Sequence, residues 1–305
     1  MKRVVSVSLG SSRRDHKVIV ELLGEQLEIS RMGTDGDFKR ALDLLGELDG
    51  KVDAIGLGGI DVYLFVRQKR YAIQDGLKLM EAVKVTPVVD GSGLKNTLER
   101  EVVNILARDT DLLQPGARVM MVSSVDRFGM AEALAEIGCD MTFGDLIFTA
   151  GIPYAIKTMD ELEEIANKLL PEITKMPFHM IYPTGKKQES QDEDKVKKFS
   201  LYYHDADVIA GDFHLIRRFM PAGMSGQTIL TNTTTSADIE FLREKGVGTL
   251  VTTTPEYEGR SFGTNVMEAA LVAILDKKLE QITAQDYLDL LHRLDFRPRM
   301  VKLGA

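Results

Sequence analysis

The sequence predicts a mixed α/β protein with parallel sheets covered by helices. Three observations predict it. Apolar runs that favour β-strands alternate with amphipathic helical segments along both halves of the 305-residue chain. Glycine-rich turns follow several of these runs, as at 58–59 and 91–93. The break at Pro115 and Gly116 then separates two such series. We therefore expect two domains of this class.

Composition and charge narrow the class of protein. Hydrophobic residues make up 44% of the chain and charged residues 28%, which is typical of globular proteins. The net charge of -8 argues against nucleic acid as a partner, because phosphate binding requires a basic face. No apolar run approaches the ~20 residues of a membrane span, so we expect no membrane partner. With one cysteine, Cys139, and no clustered histidines, we expect a cytoplasmic protein without a disulfide or metal site.

The first third of the chain predicts one α/β domain. Apolar runs at 2–9, 27–31 and 52–57 are typical of strands, and Phe38 to Leu48 places apolar residues on one helix face. The segment 62–73 predicts a hairpin with a polar turn. We expect residues 1–98 to form a substrate-type α/β domain, to which the C-terminal helices at about 264–305 return. A short strand is predicted from His179 to Tyr182.

The stretch from Arg118 to Asp145 predicts the start of the second domain. A buried-type strand at 119–122 precedes a polar turn, and helical spacing begins at Phe128. Gly138 occupies the position of a helix C-cap, and a second strand at 141–143 leads to Asp145. This is the outline of a dinucleotide-binding βαβ unit. We expect residues 99–263 to form a Rossmann-like, doubly wound parallel-sheet domain.

The turn of this unit departs from the glycine pattern of dinucleotide sites. Glycines are expected at 123, 126 and 129, where the chain has Ser123, Asp126 and Gly129. A serine hydroxyl can donate to a phosphate, but Asp126 faces the diphosphate charge unless it turns outward or pairs with Arg127. Asp145 lies where an acid binds ribose hydroxyls and favours NAD over NADP. The expected cofactor-binding residues are Ser123, Asp126, Arg127, Gly129, Asp145, Thr231 and Asn232.

Other polar residues follow predicted strands. In parallel sheets, ligands bind beyond the carboxyl ends of the strands. The residues at these ends are Asp61, Asp90, Ser92, Ser123, Asp145, Asp212, Thr231 and Thr253. His214 and Arg217 follow one of them, and an arginine there can pair with an anionic group. We expect Ser92, His214 and Arg217 to contact substrate.

The segment 90–103, DGSGLKNTLEREVV, carries a resemblance to a known family. With Asn96-Thr97 in this segment, the chain resembles the quinate/shikimate dehydrogenase family. The segments 56–64 and 259–275 also resemble the layout of acyl-carrier-protein reductases related to that family. The resemblance implies an NAD(P)-dependent oxidoreductase of a small hydroxylated or carboxylated substrate. It also implies that Asn96, Thr97, Arg260 and Asn265 contact that substrate.

One departure from the family concerns the catalytic pair. The family shuttles a proton between a lysine and an aspartate, but the chain has Leu98 at the aspartate position. Lys95, with Asp90 and Asp61 at neighbouring strand ends, is the expected replacement, because a lysine beside a carboxylate can act as an acid or base.

Two alternatives to a dehydrogenase stay open. The first is a non-catalytic ligand-binding or regulatory protein on a degenerate Rossmann-like scaffold, favoured by Asp126 and Leu98. The second is a non-redox transferase or lyase that holds an anionic substrate with Arg13, Arg14 and Lys95. In each case we expect a small anionic or polyhydroxylated molecule as the partner, and a homodimer is left open.

Overall fold

The computed structural model describes residues 1–182, 191, 193–257 and 260–304. The chain forms two compact units. Unit 1 comprises residues 1–98, 169–188 and 263–296, and unit 2 comprises residues 99–168, 189–262 and 297–305. Each unit has its own mainly parallel sheet. The predicted mixed α/β class with two parallel-sheet regions is therefore confirmed.

Unit 1 is built on a five-stranded sheet in the order β2-β3-β1-β4-β7. These strands are β1 (Lys2–Ser8), β2 (Lys17–Leu22), β3 (Glu25–Gly33), β4 (Ala54–Gly58) and β7 (Val88–Val89). All neighbours are parallel except β2, which pairs antiparallel with β3 at one edge. The predicted hairpin forms a separate two-stranded sheet of β5 (Tyr63–Val66) and β6 (Lys69–Ala72).

Helices of unit 1 precede and follow these strands. They are α1 (Phe38–Leu48), α2 (Gln74–Glu81), α6 (Phe178–Ile181), α10 (Thr264–Leu275) and α11 (Ala284–Arg293). The helices α3 (Ser92–Asp109) and α5 (Met159–Ile173) each contain residues of both units. The helix α10 packs against β1 and β4. A Cβ added at Gly56 would lie 2.7 Å from the Asn265 carbonyl oxygen, so glycine is needed for this close packing.

Unit 2 is built on a six-stranded sheet in the order β15-β12-β11-β10-β8-β9. Its strands are β8 (Arg118–Met121), β9 (Asp140–Phe143), β10 (Val208–Ala210), β11 (Thr228–Thr231), β12 (Thr249–Thr252) and β15 (Arg299–Lys302). Only β15 is antiparallel. A short hairpin, β13 (Glu256–Tyr257) and β14 (Arg260–Ser261), follows β12.

Helices of unit 2 begin and end at residues suited to those positions. They are α4 (Phe128–Ile137), α7 (Glu193–His204), α8 (Phe213–Phe219) and α9 (Ser236–Lys245), together with a π-helix (Asp145–Thr149). Gly138 ends α4 in the left-handed conformation, as predicted, with a φ of 90°. Thr235 and Asp238 form a capping box at the start of α9.

Three edge and loop elements differ from the sequence expectation. Residues 178–181 form the helix α6 rather than the strand predicted at His179–Tyr182, so this prediction is wrong. The edge strands β2 and β15 were not predicted. Their side chains alternate between buried or partly buried and exposed, so neither contains a continuous apolar run. Their pairing with distant or antiparallel neighbours decides their conformation.

The two sheets share one winding pattern. Counting only parallel strands, both have the order second-first-third-fourth, and unit 2 continues to a fifth. This is the flavodoxin-like order of doubly wound sheets, which changes direction between the first and third strands. The switch points therefore lie between β1 and β4 in unit 1 and between β8 and β10 in unit 2. Among the described residues, no helix combines the length and apolar character of a membrane span.

Candidate functional site

The switch point of unit 2 carries a buried arginine surrounded by carboxylates. Arg127 precedes α4 in the loop after β8, and its side chain is only 2% exposed. It pairs with Glu99 of α3, whose side chain is equally buried. Its guanidinium also lies 3.8 Å from the Asp126 carboxylate and 3.7 Å from that of Asp212. We call these four residues the arginine cluster.

The arginine cluster joins the loops that follow two adjacent strands. Asp126 and Arg127 come from the loop after β8, and Asp212 comes from the loop after β10, where it caps α8 by accepting the His214 N–H at 2.9 Å. The side chains of Asp126 and Asp212 remain 23% and 28% exposed. Within the cluster, three carboxylates surround one guanidinium. The cluster thus combines a buried cation with two carboxylates that reach solvent.

Hydroxyl groups line the same edge of the unit 2 sheet. Among the described residues, the buried hydroxyls of Ser123 and Thr253 have no hydrogen-bond partner. Ser123 follows β8, and a Cβ added at Gly211 would lie 3.4 Å from its Oγ. Thr231 Oγ1 donates to the Gly211 carbonyl at 2.8 Å. A buried hydroxyl without a partner is costly, so these groups favour contact with a ligand or an ordered water.

Asp145 begins the π-helix that follows β9, and its carboxylate contacts the turn between β8 and α4. Its Oδ1 accepts the N–H groups of Ser124 and Val125, each at 2.9 Å, and its Oδ2 accepts the Ser124 N–H at 3.1 Å. Burial raises the pKa of the Asp145 carboxyl, although these N–H groups oppose the shift. The carboxylate therefore occupies the backbone donors that would face a pyrophosphate in a dinucleotide site.

The unit 1 edge brings together the residues predicted to be catalytic. Lys95 Nζ lies 2.9 Å from Asp61 Oδ1, and Tyr182 donates its hydroxyl to Asp61 Oδ2 at 2.9 Å. Asp90 holds the start of the β5–β6 hairpin, because its Oδ2 accepts the N–H groups of Val62 and Tyr63. Lys95 thus lies beside Asp61, and Asp90 fixes the neighbouring loop.

A second carboxyl group lies near Asp90 in unit 1. Asp90 Oδ1 accepts both the N–H and the hydroxyl of Ser92, at 3.0 and 2.6 Å. Glu268 of α10 accepts the Tyr287 hydroxyl at 2.8 Å. Burial, and then the negative charge of Asp90, raises the pKa of Glu268 to about 8. Glu268 is therefore largely protonated at neutral pH.

The other predicted site residues occupy various positions in the helices, strands and loops. Arg217 pairs with Asp238 at 2.6 Å and stacks on Phe241, while Asn265 donates to Ser6 Oγ at 2.9 Å. Asn96 is exposed on α3. Thr97 is buried in α3, and Gly129 is buried in α4. Asn232 is partly exposed in the loop after β11, and His214 is partly exposed in the first turn of α8. Arg260 lies in β14, but its side chain falls outside the described part of the chain.

Sequence reasoning did not assign Glu99, Asp212 or Tyr182 to a site. Asp212 was identified only as a strand-end residue, and its position after a strand was the signal that supports it. Glu99 lies within α3 and Tyr182 follows α6, and neither has such a signal, because their contacts form only through tertiary folding. Among the described residues, no group of three or more histidine, cysteine, aspartate or glutamate side chains is arranged to hold a metal ion.

Comparison with protein families places most of the chain in one family. Residues 93–303 match the family described as Domain of unknown function (DUF8754). The chain belongs to that family. Residues 3–90 match a further model, Domain of unknown function (DUF8753). Comparison with curated proteins gives no match.

Comparison with solved structures gives only distant similarities. A galactofuranose binding protein is 11% identical with a TM-score of 0.40, over 97% of this chain and 99% of that one. A 5-methylthioribose transporter solute binding protein from Thermotoga lettingae is 13% identical with a TM-score of 0.39, over 99% and 86%. A 5,10-methylenetetrahydrofolate dehydrogenase from the silkworm, Bombyx mori, is 12% identical with a TM-score of 0.33, over 96% and 88%.

These findings correct the identity predicted from the sequence. Membership of the quinate/shikimate dehydrogenase-like family is wrong, because the family models that match the chain are DUF8754 and DUF8753. The predicted NAD(P)-dependent oxidoreductase activity is wrong with it. The structure gives a local reason, since Leu98, at the position of the family's acid, is fully buried in the core. A buried leucine can neither accept nor donate a proton.

Proposed function

We propose that the protein is a non-catalytic binding protein for a small, uncharged, hydroxyl-rich molecule. The observation that carries this proposal is the arginine cluster at the switch point of unit 2. Two partly exposed carboxylates, Asp126 and Asp212, are oriented there by one buried guanidinium. Ionised carboxylates form strong hydrogen bonds with hydroxyl donors, and fixing them in advance lowers the entropic cost of binding.

Charge favours a neutral ligand over an anion. The three carboxylates of the cluster outnumber its single guanidinium, and Arg127 is 2% exposed. An incoming phosphate or carboxylate would meet Asp126 and Asp212 first. A polyol instead donates hydrogen bonds to these oxygens and accepts one from a hydroxyl such as that of Ser123. Of the two ligand classes expected from the sequence, anionic and polyhydroxylated molecules, we therefore propose the polyhydroxylated one. Formation of a homodimer stays a prediction.

Thermal stabilisation by simple sugars tests this proposal. D-ribose, L-arabinose and D-galactose would be added separately at millimolar concentration, with inorganic phosphate and NAD as comparison compounds. We expect at least one sugar to raise the melting temperature in a saturable way, because a ligand bound only to the folded state stabilises it. The substitutions Asp126→Asn and Asp212→Asn should each weaken that shift.

A matched control separates the cluster from general surface charge. Asp140→Asn removes one carboxylate from the opposite, amino-terminal end of β9 and should leave the sugar response unchanged. Stabilisation by phosphate or NAD, with none by the three sugars, would contradict the proposal. An equal loss of response in all three asparagine variants would also count against the arginine cluster as the site.

A further inference from the structure

We infer that Asp145 is the residue that closes the unit 2 edge to phosphate-bearing ligands. The inference rests on the proposed function, because it explains why that site takes a neutral molecule. The Asp145 carboxylate contacts the turn between β8 and α4 in the place where an external anion would bind. It therefore sets the ligand class without itself belonging to the arginine cluster.

The contacts of Asp145 use the donors on which an anion would depend. The N–H groups of Ser124 and Val125 both point to its Oδ1 at 2.9 Å. A turn that follows the first strand of a doubly wound sheet and leads into a helix is where backbone N–H groups bind phosphate. With the Asp145 carboxylate in place, a second anion would find these donors occupied and a negative charge beside them.

Unit 1 contains the same device at the equivalent place. Asp35 lies two residues after β3, as Asp145 lies two residues after β9. It accepts the Ser12 N–H at 2.9 Å and the Ser12 hydroxyl at 2.7 Å, in the loop after the first strand. Asp35 adopts a positive φ of 54°, which is uncommon outside glycine. In both units, therefore, an aspartate two residues after the second parallel strand accepts an N–H group of the loop after the first strand; Asp35 is exposed, whereas Asp145 is partly buried.

Removal of the carboxylate should open the turn to an external anion. In Asp145→Ser, the N–H groups of Ser124 and Val125 lose their acceptor, and inorganic phosphate can replace it. In Asp145→Asn, the charge is lost while one oxygen can still accept an N–H. We expect phosphate, measured by calorimetry and by thermal shift, to bind at least about tenfold more tightly to the serine variant than to the wild type. The asparagine variant should show a smaller gain.

Controls make the result decisive. Asp140→Asn alters the net charge equally without touching the turn and should not gain phosphate affinity. If Asp145→Ser does not fold, Asp145→Asn decides alone. Folded variants whose phosphate affinity equals that of the wild type would overturn the inference, as would tight phosphate binding by the wild type itself.

The sugar response of the same samples keeps the two proposals apart. A phosphate gain without any sugar binding would support the role of Asp145 and refute the proposed function. Sugar binding without a gain in phosphate affinity would support the proposed function and refute the role of Asp145.

Discussion

At the carboxyl edge of the unit 1 sheet, Lys95 pairs with Asp61, whereas at the unit 2 edge Arg127 contacts three carboxylates. Both edges follow the same strand order, so winding alone does not distinguish them. The difference lies in how the charges are arranged. The unit 1 pair has one ammonium and one carboxylate, while the arginine cluster of unit 2 has one guanidinium and three carboxylates. Under the function proposed above, the arginine cluster of unit 2 binds the ligand, and we expect the unit 1 pair to contribute to stability only.

The largest expected effect comes from Arg127. Replacing it in Arg127→Ala leaves Glu99, whose side chain is 1% exposed, as a buried charge without this partner. Breaking a buried ion pair on one side typically costs about 3–5 kcal/mol, and we expect a loss in that range by urea denaturation. The exposed pair of Arg118 and Asp207 is the control, because Arg118→Ala should change the free energy of unfolding little. An equal loss of stability in the two variants would contradict the conclusion that Arg127 neutralises a buried charge whereas Arg118 does not.

The next effect is a pH dependence in unit 1 due to Glu268. Its pKa is raised from 4.5 to about 8 in the folded protein by burial and by Asp90. The folded state therefore binds this proton more tightly than the unfolded state. The resulting stability is fully present below pH 4.5 and is lost as the pH rises to about 8, at about 1.4 kcal/mol for each unit of pKa difference.

The variant Glu268→Gln isolates this contribution. An amide oxygen can still accept the Tyr287 hydroxyl, but it does not titrate. Denaturation midpoints measured from pH 5 to pH 8.5 should fall less steeply with rising pH in the variant. Parallel pH profiles in the two proteins would show that Glu268 ionises without a cost in stability. That result would contradict the raised pKa of Glu268.

A smaller effect is expected from Lys95. The side chains of the Lys95–Asp61 ion pair are mostly buried, at 12% and 14% exposed. When the lysine is lost, Asp61 still accepts a hydrogen bond from the Tyr182 hydroxyl. We expect Lys95→Met to lower the free energy of unfolding by about 1–3 kcal/mol, as for hydrogen bonds to charged groups. The sugar response should stay unchanged. A large loss of ligand affinity in Lys95→Met would contradict the proposal that the ligand binds at unit 2.

The smallest effect compares one glycine at each switch point. Both Gly59 and Gly211 have a positive φ, of 73° and 131°. A Cβ at Gly59 would lie 2.8 Å from the Gly10 backbone nitrogen, whereas one at Gly211 would lie 2.7 Å from the Val122 side chain. Because a side chain can rotate away and a backbone cannot, Gly59→Ala should cost more than Gly211→Ala, by about 1 kcal/mol. Denaturation of the two variants under one condition measures the difference; the reverse order would mean that the unit 2 turn is the more rigid.

Local sequence signals identified the central elements well. The run at 119–122, the helix from Phe128 and the cap at Gly138 all appear in the structure, because apolar periodicity and glycine act over a few residues. The strands β2 and β15 were not predicted, because their conformation depends on pairing with other strands of the sheet. The pairing of Lys95 with Asp61 was predicted from strand ends. The pairing of Arg127 with Glu99 and Asp212 was not.

The sequence by itself determined the mixed α/β class, the ends of the central strands and the acidic residues that follow them. Asp126 was also recognised from sequence as a residue that disfavours a phosphate. Only the tertiary structure decided what these acids do. It turned Asp145 inward to the N–H groups of Ser124 and Val125, and it brought Glu99 and Asp212 to Arg127 from distant parts of the chain. The reason is physical: a sequence pattern specifies where a carboxylate lies along a strand, but its partner is set by which loops the sheet order brings together.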